Sequence, residues 1–271
     1  MGVKKEASGR RSVQVDVEVP GTPEEVWKAI ATGPGISSWF VPASFEERDG
    51  TPTSVTLSFG PGMDSTSKVT SWNAPHSWTA ESEGWVPGSP PIAHEWSVEA
   101  RAGGTCVVRI VQSLFASTDD WDGQLEGASY GWPAFLRTLR LYLTHFRGQD
   151  SIAMKWMAPV AGTEAEAWAA VTGALGLDGV GVGQRWSSPA GVPAFSGVAE
   201  YVTERPYDAL LRVERPGPGI AAVGTIDCGG QCMVALNFYL YGDGASETAE
   251  RERPLWEAWF QKRFPMPSGG T

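Results

Sequence analysis

The sequence predicts an α+β protein made of two tandem copies of one unit, each an antiparallel sheet closed by a long C-terminal helix, the second copy shortened. Three observations carry this. A strictly alternating strand near the start is followed by a capped amphipathic helix. A series of short strands then ends in one long apolar helical stripe. Finally, the whole order begins again about 130 residues later.

Val13 to Val19 reads Val-Gln-Val-Asp-Val-Glu-Val, apolar at every second position, as a strand with one buried face requires. Pro20-Gly21 ends it. Thr22 is an N-cap, and Glu24 and Glu25 sit in the first turn, where the helix dipole favours carboxylates. Val26, Trp27, Ala29 and Ile30 form the apolar stripe of that helix. Gly33-Pro34-Gly35 is expected to stop it, with a second short helix over Ile36 to Phe40. Strands are predicted at about 44–48, 53–59, 66–72, 77–84, 91–100 and 105–114, divided by Gly-, Pro- and Asn-rich breakers. After Trp121 the period turns helical. Trp132, Phe135, Leu136, Leu139, Tyr142, Leu143 and Phe146 share one face, and Pro133 is expected in the first turn of that helix or at a kink.

The pattern restarts with a strand at Ile152 to Met157, ended by Pro159 to Gly162. Thr163-Glu-Ala-Glu-Ala-Trp168 repeats Thr22-Pro-Glu-Glu-Val-Trp27 position for position. Near the end, Trp256, Trp259 and Phe260 echo Trp132, Phe135 and Leu136. A period this long is a duplicated domain rather than a solenoid repeat. The expected domains are residues 12–148, complete, and 150–267, with fewer strands between its helices.

Composition narrows the function classes. Residues 1–149 carry 12 basic against 17 acidic side chains and residues 150–271 carry 9 against 14, within a net charge of −10. Such a chain repels phosphate backbones and anionic surfaces, so neither nucleic acid nor membrane is an expected partner. Three scattered cysteines make no disulfide framework. The basic N-terminus has no apolar run behind it, and no stretch reaches membrane-spanning length, so the expected location is the cytoplasm.

The specific wording points to a family. Val19-Pro-Gly-Thr-Pro-Glu-Glu-Val-Trp27, Ile36-Ser-Ser-Trp39-Phe40, His94-Glu95-Trp96, Gly103-Gly104-Thr105 before a Val-rich strand, and Gly131-Trp132 at the last helix are the residues concerned. Together they resemble the bacterial Hsp90-ATPase-activator-like family of the START/polyketide-cyclase superfamily, over residues 12–148. The resemblance implies a helix-grip (START/Bet v 1-like) fold, a curved antiparallel sheet gripping its C-terminal helix around a cavity. It does not imply one activity, because the superfamily includes lipid carriers, cyclases, self-resistance proteins and chaperone activators.

Alternation locates the cavity. Val108, Ile110 and Gln112 share one face of their strand, and Arg109 on the other belongs in solvent, so Gln112 points inward. By the same parity His94 and Trp96 point inward. Trp72, Trp78, Phe135 and Leu139 are expected walls, and Trp39, Phe40, Trp85 and Phe115 an expected mouth. An apolar cavity with two polar fixtures suits a small molecule. Catalytic signatures fail: His94-Glu95 has Val98 where a zinc protease needs His, and there is no Gly-x-Ser-x-Gly elbow. Cys228 and Cys232 read as flanks of a hairpin, and the Gly179 to Gln184 run follows a helix, so it lacks phosphate-loop geometry. Asp119, Asp120 and Asp122 read as an exposed helix start. No metal or cofactor is expected. The leading expectation is binding or sequestration of an apolar, aromatic or polycyclic molecule. The alternatives are a protein partner, as for chaperone activators, or cyclase/aromatase-like chemistry.

Overall fold

The computed structural model describes residues 3–60, 62–83, 88–116, 118–204, 207–228 and 230–265. The chain forms two compact units, Met1–Asp150 and Ser151–Thr271.

The first unit runs β1 (Lys4–Lys5), β2 (Arg10–Pro20), α1 (Pro23–Ala31), α2 (Gly33–Ser37), β3 (Ala43–Arg48), β4 (Thr51–Ser58), β5 (Asp64–Asn73), β6 (Ser77–Ser82), β7 (Ile92–Arg101) and β8 (Thr105–Phe115). A 3₁₀ turn (Asp119–Trp121) then leads into α3 (Asp122–His145). The strands form one antiparallel sheet in the order β1-β2-β8-β7-β6-β5-β4-β3. Pairing of β2 with β8 is unbroken from Arg10↔Phe115 to Pro20↔Thr105. Period-two alternation explains the sidedness: Val13, Val15, Val19, Val108 and Ile110 are buried, while Asp16 and Arg109 pair on the outer face at 2.9 Å. The long apolar stripe of α3 packs against β2 and β8.

The second unit repeats this in shorter form: β9 (Ser151–Val160), α4 (Glu164–Leu175), β10 (Arg185–Ser187), β11 (Ser196–Glu204), β12 (Tyr207–Arg215), β13 (Gly219–Cys228), β14 (Gln231–Tyr241) and α5 (Ala245–Arg263). Its sheet order, β10-β11-β12-β13-β14-β9, again places the strand before the first helix beside the last strand. Five strands stand between the helices where the first unit has six, so both units have the helix-grip fold and the second is the shortened copy. The same capping box opens both first helices. Thr22 N–H donates to Glu25 Oε2 at 2.9 Å, and Thr163 N–H donates to Glu166 Oε2 at 2.8 Å. In each case the Thr hydroxyl accepts the return bond from the Glu backbone at 3.3 Å.

Local readings need correction at four places. Gly33-Pro34-Gly35 starts α2 instead of ending α1, because Thr32 caps it, accepting from Gly35 N–H at 3.0 Å, and Pro34 suits a first turn. Only glycine fits at 35, where a Cβ would stand 1.9 Å from the Lys28 carbonyl oxygen. Pro159 lies within β9, tolerated because β9 is the sheet's edge and pairs on one side only. Pro133 lies midway along α3, beyond its first turn. Asp119 and Asp122 are not merely exposed: both are ion-paired with Lys5 and with the buried Arg11 of β2, tying the start of α3 to the sheet. Cys228 and Cys232 do flank a hairpin, on β13 and β14.

The capping boxes predict a local energetic signature. Thr163→Ala removes the acceptor for Glu166 N–H, and denaturant unfolding is expected to show a loss of about 1 kcal/mol, with Thr163→Ser nearly neutral.

Candidate functional site

A cavity of about 320 Å³ lies in the first unit between the sheet and α3. The residues that surround it come from seven places. Ile36 belongs to α2, and Trp39 and Phe40 follow it directly. Val55 and Leu57 come from β4, with Phe59 just beyond it. Ser65 and Ser67 stand on β5, and Trp78 and Ala80 on β6. Ile92, His94 and Trp96 stand on β7 and Gln112 on β8. Gly127, Ala128, Gly131, Trp132 and Phe135 close it from α3. No Asp, Glu, Lys or Arg is among them.

Small residues on the helix leave the room. A Cβ added to Gly127 meets nothing within 4 Å, and one added at Gly131 meets only the Phe135 ring at 3.6 Å. The aromatic walls are held by one another and by the backbone. The Trp39 indole N–H donates to the Ala29 carbonyl at 2.9 Å, and its ring stacks on Phe40 with centroids 5.6 Å apart. Phe40 meets Phe135 edge-on at 4.5 Å. Trp78 and Trp96 stack at 6.1 Å, and Trp132 stands perpendicular to Trp96 at 5.4 Å. Offset and edge-on contacts of this kind stiffen the wall beyond simple burial.

One polar chain crosses this apolar surface. The Trp132 indole N–H donates to Gln112 Oε1 at 2.8 Å. His94 is Gln112's cross-strand partner, hydrogen-bonds its side chain, and lies edge-on to Trp132 at 5.9 Å. Burial pushes the His94 imidazole down to about 4, opposed by the Gln112 bond, so the ring is neutral at physiological pH.

Of the sequence-predicted residues, Trp39, Phe40, Trp78, His94, Trp96, Gln112 and Phe135 all line the cavity. Four others do not. Ile110 and Leu139 are fully buried in the core beside it. Trp72 packs on Trp27 at 5.0 Å and Phe45 at 5.8 Å, where α1 already fills the space. Phe115 is 63% exposed, on the same outward parity as Arg109. Trp85 lies outside the described residues. Missing from the expected site were Trp132, counted only as helix stripe, and the wall from β4 and β5.

The second unit has the same frame with a different filling. Val19↔Cys106 and Val160↔Cys232 are matching pairs, and from them Phe238 stands where Gln112 does, opposite Met154 as Gln112 is opposite Val13. Ala221 pairs with Phe238 as His94 does with Gln112. Trp256, the counterpart of Trp132, is fully buried, with Phe238, Phe195 and Trp259 at 5.1, 5.3 and 5.5 Å. Its indole N–H has no partner among the described residues.

Residues 10–139 match the family described as polyketide cyclase / dehydrase and lipid transport. Among solved structures, the chain is similar to the di-domain ARO/CYC BexL from the BE-7585A biosynthetic pathway. The two are 15% identical, 95% of this chain and 99% of that one are covered, and the TM-score is 0.45. DynU16, a putative protein in the dynemicin biosynthetic locus, is 18% identical over 92% of this chain and 95% of its own, TM-score 0.41. The Aha1 dimer from Colwellia psychrerythraea is 20% identical over 49% of this chain and 95% of its own, TM-score 0.40. No curated protein matches the chain.

The His94 environment predicts a pH dependence. Its folded pKa, about 4, lies below the usual 6.5, so between those values the unfolded chain takes a proton that the folded chain refuses. Stability is therefore complete above about pH 6.5 and falls as pH drops, by up to roughly 3 kcal/mol near pH 4. Asp119 and Asp122, whose ion pairs hold them below the ordinary carboxylate range, titrate lower still. Denaturant titrations across this window are expected to slope in the native chain and to flatten in His94→Gln.

Proposed function

We propose that the first unit holds an apolar aromatic or polycyclic small molecule in this cavity, carrying or sequestering it without chemical change. The observation that carries the reading is the wall itself: seven aromatic rings and no ionised side chain around about 320 Å³. Such a surface offers contact area and shape at little entropic cost, with a few polar groups for orientation. The match of residues 10–139 to a cyclase, dehydrase and lipid-transport family supports an apolar ligand.

Chemistry is the weaker reading. His94 is the one titratable side chain in the lining, and its hydrogen-bond partner is an amide rather than a carboxylate. A base with a pKa near 4 is ill matched to proton transfer at neutral pH. The sequence likeness to Hsp90 activators supports a third reading, a protein partner, which would act through the surface and ignore changes inside the cavity.

Native mass spectrometry of gently purified chain, compared with its denatured mass, is expected to show a discrete added mass. Gly127→Leu puts a side chain into free space and removes a helical glycine, so it is expected to keep or raise the thermal midpoint while the added mass disappears. Phe135→Ala is expected to weaken retention about tenfold through lost contact. A bare mass, with no stabilisation by a panel of apolar aromatics, would sink the carrier reading in favour of a protein partner.

A further inference from the structure

One wall of the cavity carries hydroxyls with nothing to bond. Ser65 and Ser67 line it from β5, and Ser67 is only 8% exposed. Neither hydroxyl has a hydrogen-bond partner among the described residues. β6 adds a third. Ser82 shares the inward parity of Trp78 and Ala80 and pairs with the lining residue Ile92. Its Oγ is buried, again without a partner among the described residues. Lys68 of β5 pairs with Glu81 of β6, so Ser67 and Ser82, one step further on each strand, continue the register on the inward face. A strand spacing of about 4.8 Å separates those two backbones, and about 6.8 Å separates Ser67 from Ser65 along β5. On β8 and α3, by contrast, Gln112 and Trp132 satisfy each other at 2.8 Å.

The fold does not require these hydroxyls. In the second unit β11 and β12 take the places of β5 and β6, with a register slip at the same point: Val69 to Ser71 in one, Ala199 to Tyr201 in the other. Val69 pairs with Ala80 as Ala199 pairs with Leu211, so Ser67 and Ser82 correspond to Gly197 and Val213, which pair with each other. Neither has a polar side chain. Phe195, two residues before Gly197 as Ser65 is two before Ser67, is buried against Trp186 and Trp256 at 4.9 and 5.3 Å. Glycine and apolar residues thus serve these positions in the packed unit, and three serines stand there in the unit with a cavity. A buried hydroxyl left without a partner costs about 1–3 kcal/mol. An occupant that brings the right atoms removes that cost.

We infer that Ser65, Ser67 and Ser82 form a subsite for a neutral acceptor oxygen, such as a ketone or quinone carbonyl, on the edge of an aromatic ligand. The inference rests on the small-molecule reading above and names the ligand class more closely. A carbonyl oxygen has two lone pairs and accepts from two hydroxyls at once, so one ligand oxygen meets Ser67 together with a neighbour. A carboxylate is disfavoured, because the lining contains no cation to meet it. A bare hydrocarbon fills the aromatic walls and leaves the hydroxyls as they were.

Fluorenone and fluorene make a matched probe pair, since they share the fused rings and differ by a carbonyl in place of a methylene. In equilibrium dialysis on the full chain, Ser67→Ala is expected to weaken fluorenone about tenfold, the worth of one hydrogen bond, and to leave fluorene unchanged or slightly tighter. Ser65→Ala and Ser82→Ala are expected to act in the same direction, less strongly. Ser67→Thr keeps the hydroxyl and is expected to keep the fluorenone affinity. The alanine variants are expected to match or exceed the native thermal midpoint, since each removes an unpartnered group. Infrared spectra of the unaltered chain provide a reading free of substitution, in which the carbonyl band of bound fluorenone lies at lower frequency than in hexane. An unshifted band, equal losses for both probes in Ser67→Ala, or no loss of fluorenone in any alanine variant would each overturn the inference, and fluorene binding would leave the carrier reading intact. Alanine variants markedly less stable than the native chain would show the serines to be structural and overturn it as well. If neither probe binds, both readings fall.

Discussion

The interior of the first unit depends on the unbroken pairing of β2 with β8. It brings the start of the domain beside the end of the strand meander, so that α3 must return across the sheet from that edge. Buried valines on β2 and the apolar stripe of α3 form the contact that fixes the helix at one side. Strands β4 to β8 line the cavity opposite this helix, and there Gly127, Ala128 and Gly131 of α3 leave space. The ion pairs of Arg11 and Lys5 with Asp119 and Asp122 tether the start of the same helix to β1 and β2. Cavity and fold are therefore products of one constraint.

The two copies separate what the fold needs from what the cavity needs. Both keep the capping box, the pairing of the strand before the first helix with the last strand, and a tryptophan on the closing helix. They differ in what that tryptophan meets: an amide oxygen in one unit, a phenyl ring in the other. An indole N–H buried without an acceptor is unfavourable. The second unit offsets this with dense ring contact, which also occupies the space.

Elements with a strict period were legible in the sequence. Alternation in β7 and β8 was enough to send His94, Trp96 and Gln112 inward, because a strand's parity leaves no third choice. The same rule applied to Phe115 would have sent it outward with Arg109. Trp72 was harder: the register slips between Val69 and Ser71, so parity counted along β5 does not survive to its end. The polar wall from Ser65 and Ser67 had no signal, since an inward serine and an outward one look alike in sequence. Trp132 was visible only as part of a stripe. Which of several apolar helix residues faces a void and which faces a packed strand is decided by distance, and distance is not written in the periodicity.

Gly123, Gly127 and Gly131 all fall in the first half of α3, upstream of Pro133. Each glycine weakens a helix by up to about 1 kcal/mol relative to alanine, and the proline removes a further backbone bond. The wall that is thinnest in side chains is thus also the least self-supporting stretch of helix in its unit. Under the proposed carrier function, a guest resting against it would replace the missing side-chain contacts, and occupancy and helix order would rise together. Slowed amide exchange over these turns would then be the ligand's footprint on the backbone.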